Sequence, residues 1–278
     1  MSISSSSSGP SARRSSLATD YFQVYSASSK SQSSNLLQRP KRLGFLIAPD
    51  VATSISSSGW VATCSSEQIR LYDVKGANRS RIIQPKAVLS IPMILRDEKI
   101  RGIALSDDLL AVITHNRLLV YDEYRTNNDH MPSFVGEKRI DQDGHWTPRS
   151  VSIAQLGRQS PEGGATASIA VGGEGESAVK IFRYKYMPAW NLQGDHVVLK
   201  CPHNNGAVKI VGFSPWRSDA IYAPMVFALT TGNHLYSWVV ARYVGHQQGI
   251  RLDPCWHVDC NARSNERVSD IFEDPVQS

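Results

Sequence analysis

The residues whose types could do chemistry fall in a few short stretches of this 278-residue chain. Cys255-Trp256-His257-Val258-Asp259-Cys260 gathers two thiols, an imidazole and a carboxylate. Zinc takes four such ligands, usually in compact pairs such as Cys-x-x-Cys. Here the cysteines stand farther apart, and alternation along a strand sends Cys255 and Cys260 to opposite faces, so no metal site is expected. Asp141-Gln142-Asp143-Gly144 begins like a calcium loop, but its glycine comes two places early and no glutamate stands at the twelfth position. It reads as a polar turn. Gly172-Gly173-Glu174-Gly175 lacks the lysine and the following helix that would hold a phosphate, and reads as a hairpin turn. Asp107 and Asp108 are adjacent on a turn and point apart, unlike a working acid pair. No Gly-x-Ser-x-Gly elbow is present, and the eight histidines are dispersed. No catalytic, cofactor-binding or metal-binding residue is therefore expected, and no cofactor.

One further motif is regulatory. Arg13-Arg14-Ser15-Ser16-Leu17 fits the Arg-Arg-x-Ser-apolar pattern of basophilic kinases, which makes Ser16 the candidate phosphorylation site. A phosphate there adds close to two negative charges beside two guanidinium groups. The motif lies in a low-complexity segment in which fifteen of the first 34 residues are serine. Such a segment buries too little apolar surface to offset the entropy of ordering, so residues 1–42 are expected to be a disordered tail. Arg13, Arg14, Lys30, Arg39, Lys41 and Arg42 stand there against Asp20 alone. The tail's net charge of +5 equals that of the whole chain, and the remainder carries 24 charges of each sign. The tail is thus where nucleic acid or an import receptor could be met. The balanced remainder offers no large basic groove and no RNA-binding aromatic motif. The tail also has the Ser- and Arg-rich, acid-poor composition of a mitochondrial transit peptide, without the amphipathic face.

No apolar run is long enough for a secretory signal or a membrane span. Cys64, Cys201, Cys255 and Cys260 are too few and too scattered for a disulfide framework. These features point to an intracellular chain, in the cytoplasm or the nucleus.

The elements that must position these residues are strands. Trp60 to Val74 reads as a hairpin: Trp60-Val61-Ala62-Thr63-Cys64, a polar turn at Ser65-Ser66-Glu67-Gln68, then Ile69-Arg70-Leu71-Tyr72-Asp73-Val74. Runs that are apolar at nearly every position imply cover on both faces, and their β-branched content and shortness favour strand over helix. Before this hairpin, Leu43–Pro49 and Val51–Ile55 read as strands, and Ala87–Ile91 as an outer fourth. Three later units repeat the grammar. Unit two has strands at Ile100–Leu105, Leu109–Thr114 and Leu118–Tyr121, with outer pieces at Phe134-Val135 and Lys138–Ile140. Unit three has strands around Val151 and Ile153, at Ser168–Val171 and at Val179–Tyr184. Unit four has strands at Val208–Phe213, Met225–Thr230 and His234–Val240, with outer pieces at Ile250–Leu252 and Cys255–Val258. Tyr72, Tyr121, Phe182 and Tyr236 hold equivalent places. Residues 261–278 read as a polar, frayed tail.

The hairpin resembles the inner strands of a WD-repeat blade, in Ala62-Thr63, Ser65-Ser66, Ile69-Arg70-Leu71 and Asp73-Val74. Tyr72 replaces that family's tryptophan, Cys64 its small glycine, and the turn is one residue short. Ser214-Pro215 after Phe213, and Gly144-His145 before unit three, match the same pattern. The resemblance covers roughly residues 43–260. It implies an all-β fold: a β-propeller of about four WD-like blades. Four blades, and an ending with no closing strand, point to an incomplete ring and a chain that is part of something longer. It also implies a role by analogy, a non-enzymatic scaffold that binds other proteins. The alternatives are a subunit of a nuclear or chromatin-associated complex whose tail touches nucleic acid, and, less favoured, a propeller hydrolase.

Overall fold

The computed structural model describes residues 42–43, 52–75, 82–91, 98–122, 132–140, 146–156, 165–175, 178–202, 206–214, 225–239, 251–252 and 254–261. Within these the chain is all-β, and it forms four antiparallel sheets stacked in sequence order. Blade one contains β2 (Ala52–Ile55), β3 (Trp60–Cys64), β4 (Gln68–Asp73) and β6 (Ala87–Ser90). Blade two contains β7 (Gly102–Leu105), β8 (Leu110–Ile113), β9 (Arg117–Asp122) and β10 (Ser133–Arg139). Blade three is built on β11 (Thr147–Leu156), β12 (Thr166–Glu174) and β13 (Ala178–Tyr186), with β14 (Trp190–Leu192) and β15 (Val197–Lys200) both paired to β13. Blade four contains β16 (Val208–Phe213), β17 (Met225–Thr230), β18 (His234–Val239) and β20 (Trp256–Asp259). Every blade is an up-and-down meander, and the first strands β2, β7, β11 and β16 are neighbours along the inner side. This is the architecture of a β-propeller. Among the described residues blade four does not pack on blade one, so the sheets do not close into a ring.

The hairpin register defines one repeated interface. The pairs nearest the second turn are Cys64↔Ile69, Ile113↔Leu118, Gly172↔Val179 and Leu229↔Leu235. Three residues further along the third strand stand Tyr72, Tyr121, Phe182 and Trp238, opposite Val61, Leu110, Ile169 and Val226. In blades two, three and four this aromatic side chain packs toward the preceding blade. The fourth member is therefore Trp238, and the sequence-based choice of Tyr236 is corrected: Tyr236 pairs with Ala228 one row nearer the turn. The row facing the next blade reads Ala62↔Leu71, Ala111↔Val120 and Ala170↔Ile181. A methyl group at its centre lets the neighbouring sheet come close, and the two apolar faces bury each other in one cluster.

Several expectations hold in detail and others change. Ala87–Ser90 is the outer strand of blade one, and the two outer pieces of unit two are one strand with a bulge between Phe134 and Gly136. Gly172, Gly173 and Glu174 are not a turn: they are the last residues of β12. A Cβ on Gly172 would lie 2.4 Å from Val208, and one on Gly173 would lie 2.4 Å from the Trp146 ring. These glycines serve close packing, and only Gly175, with φ of 117°, turns the chain. Arg251-Leu252 (β19) does not join blade four but pairs in parallel with β15 of blade three. Of the stretch expected as a strand at Leu43–Pro49, Arg42-Leu43 (β1) pairs in parallel with Ile82-Ile83 (β5), and 44–49 lie outside the described residues. Also outside them are residues 1–41, with the expected tail and Ser16, Asp141–His145, and 262–278.

Candidate functional site

At the second turn of blade one the missing glycine is replaced by a serine cap. Ser65 Oγ accepts from Gln68 N at 3.1 Å while Ser65 N donates to Gln68 O at 2.8 Å. At the first turns, Asp107 braces one blade against the next. It accepts from Ser58 N at 2.7 Å and from the Ser57 hydroxyl. Ser54 Oγ and Ser150 Oγ likewise accept from Leu105 N (2.9 Å) and Val211 N (3.0 Å) on the next blade's innermost strand.

Two polar clusters were not foreseen from sequence. Arg117, which opens β9, is 2 % exposed and is held by Glu98 through Nε–Oε1 at 2.7 Å and Nη2–Oε2 at 2.6 Å. Its Nη1 reaches Glu137 Oε2 at 2.5 Å. Burial opposes the charge on Arg117, but the two carboxylates outweigh it and raise its pKa. Both acids are engaged by the guanidinium, so the triad binds the segment before β7 to the outer strand of blade two. A charged residue at the head of the apolar run Leu118–Tyr121 was the signal available in the sequence.

The second cluster lies across β18 and β20. His234 Nδ1 is 3.0 Å from His257 Nε2, and Asp259 Oδ1 is 3.9 Å from His234 Nδ1. The His257 ring stacks on Tyr236 with centroids 4.5 Å apart, and the Tyr236 hydroxyl donates to Pro202 O at 2.9 Å. The pairing His234↔Asp259 and Tyr236↔His257 creates the cluster, joining residues more than twenty positions apart. Cys255, at one end of this strand, donates its thiol to Ser237 O at 3.2 Å; Cys260 N, at the other, donates to Asn233 O. Among the described residues no three His, Cys, Asp or Glu side chains are placed to hold one metal ion. Burial raises the Cys64 thiol to about 11 and the Cys201 thiol to about 12, so both stay protonated and unreactive near neutrality.

The two ends of the propeller differ. The end with the second turns presents Ser65-Ser66-Glu67, His115-Asn116, Gly175 and Thr231-Gly232-Asn233. The end with the first turns carries exposed Ile55, Phe134, Tyr186 and Met187. Phe134 packs edge-on against Tyr121, and Tyr186 edge-on against the buried Trp190. No helix among the described residues is long and apolar enough to cross a membrane.

No family model matches the sequence, and no curated protein matches it. Solved structures do. The chain is similar to the WD40 domain of SCAP from fission yeast at 12% identity and a TM-score of 0.48, over 68% of this chain and 42% of that one. It is similar to Saccharomyces cerevisiae Sqt1 at 10% identity and a TM-score of 0.44, over 68% and 45%. A chain of a mitotic checkpoint complex matches at 13% identity and a TM-score of 0.45, over 75% and 51%. The match thus spans about half, or less, of the length of each of these chains.

Proposed function

We propose that this chain is a non-enzymatic scaffold that binds other proteins through the end of the propeller carrying the first turns. The observation that carries this reading is the placement of Ile55, Phe134, Tyr186 and Met187, all exposed and all at that end. Phe, Tyr and Met are enriched where proteins dock. The polar clusters fit the same reading, because their acids and imidazoles are engaged with one another. Affinity capture with Phe134→Asp/Met187→Asp and with His115→Ala, at the opposite end, tests it. Expected is a loss of about tenfold or more in recovered partners for the first variant, one hot-spot contact being enough for that, and none for the second. Equal recovery from both overturns the reading.

The alternative, a nuclear or chromatin-associated subunit, rests on the net charge of +5 in residues 1–42. Salt-dependent binding to duplex DNA that disappears on removal of residues 1–41 would favour it. Phosphate on Ser16 would weaken that binding, since it adds negative charge beside Arg13 and Arg14.

A further inference from the structure

The face of blade four that points away from blade three continues the stack of blade faces, but with different residues. In the row where the first three blades place Ala62, Ala111 and Ala170, blade four has Phe227, and Ser237 stands where they have Leu71, Val120 and Ile181. The adjacent row is Ile210, Leu229 and Leu235 across β16, β17 and β18. Ile210 is 53% exposed, and Phe227, Leu229 and Leu235 are only half-buried, with Ser237 buried beside them, whereas on the second and third strands of the first three blades the same rows are buried. A next blade packed as the others are would meet a phenyl ring where its close approach needs a methyl group.

We infer that this face pairs with the same face of a second copy of the chain. Three features support that occupant. The face is continuous with the blade-on-blade interfaces inside the molecule, so sheet-on-sheet packing is already the way this chain buries such surface. Its two rows contain no charged side chain, so no charge has to be buried unpaired and none meets its like where residues near a two-fold axis face their own counterparts. The face also has a projection beside a hollow. Phe227 pairs with Gly212, and nothing lies within 4 Å of the point where a Cβ on Gly212 would sit. Across a two-fold axis, the ring of each copy fills the hollow of the other. This surface is separate from the partner-binding end, and neither reading rests on the other.

Sedimentation equilibrium of the full chain, as a function of concentration, tests the pairing. The wild-type chain should form a dimer. Phe227→Glu should weaken it about thirtyfold or more, the loss expected at an interface hot spot, and Ile210→Glu, at a more exposed position, should weaken it in the same direction. Met187→Asp, at the partner-binding end, should leave it unchanged. A chain that stays monomeric at every concentration overturns the inference. A dimer that both glutamate variants leave intact overturns it as well.

Discussion

The two terminal faces of the blade stack are treated in opposite ways. On blade one, the face away from blade two is covered by the chain itself: Val61, Tyr72 and Val74 form a buried cluster with Ile83 of the β5 strand. On blade four, the corresponding outward face keeps Phe227, Leu229 and Leu235 half-buried and Ile210 exposed. The difference shows that the repeat fixes how a blade is made but not what ends the stack. A blade face is apolar because its neighbour is; at a terminus, the cover must come from elsewhere, from the connection between β4 and β6 in one case and from outside the described residues in the other.

The largest effect should come from the covered face. Tyr72→Ala removes an aromatic side chain that is 1% exposed, and should cost about 3–5 kcal/mol in urea unfolding. A cost near that of a surface substitution would mean that Ile83 does not cover this face. Next comes the small residue at the centre of an internal interface. Ala111→Phe imports the blade-four residue between blades two and three, where Ala111 is fully buried, and should cost about 1–3 kcal/mol or more by overpacking. The reverse exchange, Phe227→Ala, should change the stability of the monomer by no more than about 1 kcal/mol, since its ring is only half-buried. If the two exchanges cost the same, the contrast between internal and terminal faces fails.

The smallest effect concerns pH. Burial, with Lys180 and Lys138 nearby and only Asp195 opposing, lowers the pKa of His196 from its ordinary 6.5. A histidine lowered in the fold binds fewer protons there than in the unfolded chain, so its stabilising contribution is complete above pH 6.5 and fades as pH falls toward the folded value. Melting temperature should fall modestly below about pH 6.5, and His196→Gln should flatten that limb. Phe182, whose ring lies 5.4 Å from the imidazole, places this response inside the interface between blades two and three, leaving blade four's open face unaffected.

Much of the fold was legible because the inner strands are apolar at nearly every position. Leu110–Ile113 and Leu118–Val120 are buried on both sides, and such runs can be read without knowing what covers them. Register was harder. Tyr236 and Trp238 both point toward blade three, so composition alone could not say which holds the place of Tyr72; counting from the Leu229↔Leu235 pair does. The run Gly172–Glu174 looked like a turn because glycine usually marks one. It is strand because Val208 and Trp146 press on it, a contact made by residues distant in sequence. The Glu98–Arg117–Glu137 triad and the His234–His257 pair were invisible for the same reason.

The sequence by itself determined the strands, their turns, the repeat of one hairpin, and the concentration of net charge in the N-terminal segment, because each depends on residues within a few positions of one another. Tertiary structure alone decided which face of each strand meets which neighbour, where buried charges find partners, and that one terminal face is covered while the other stays half open. Those outcomes depend on contacts across dozens of residues, and alternation along a strand defines two faces without saying what will lie against either.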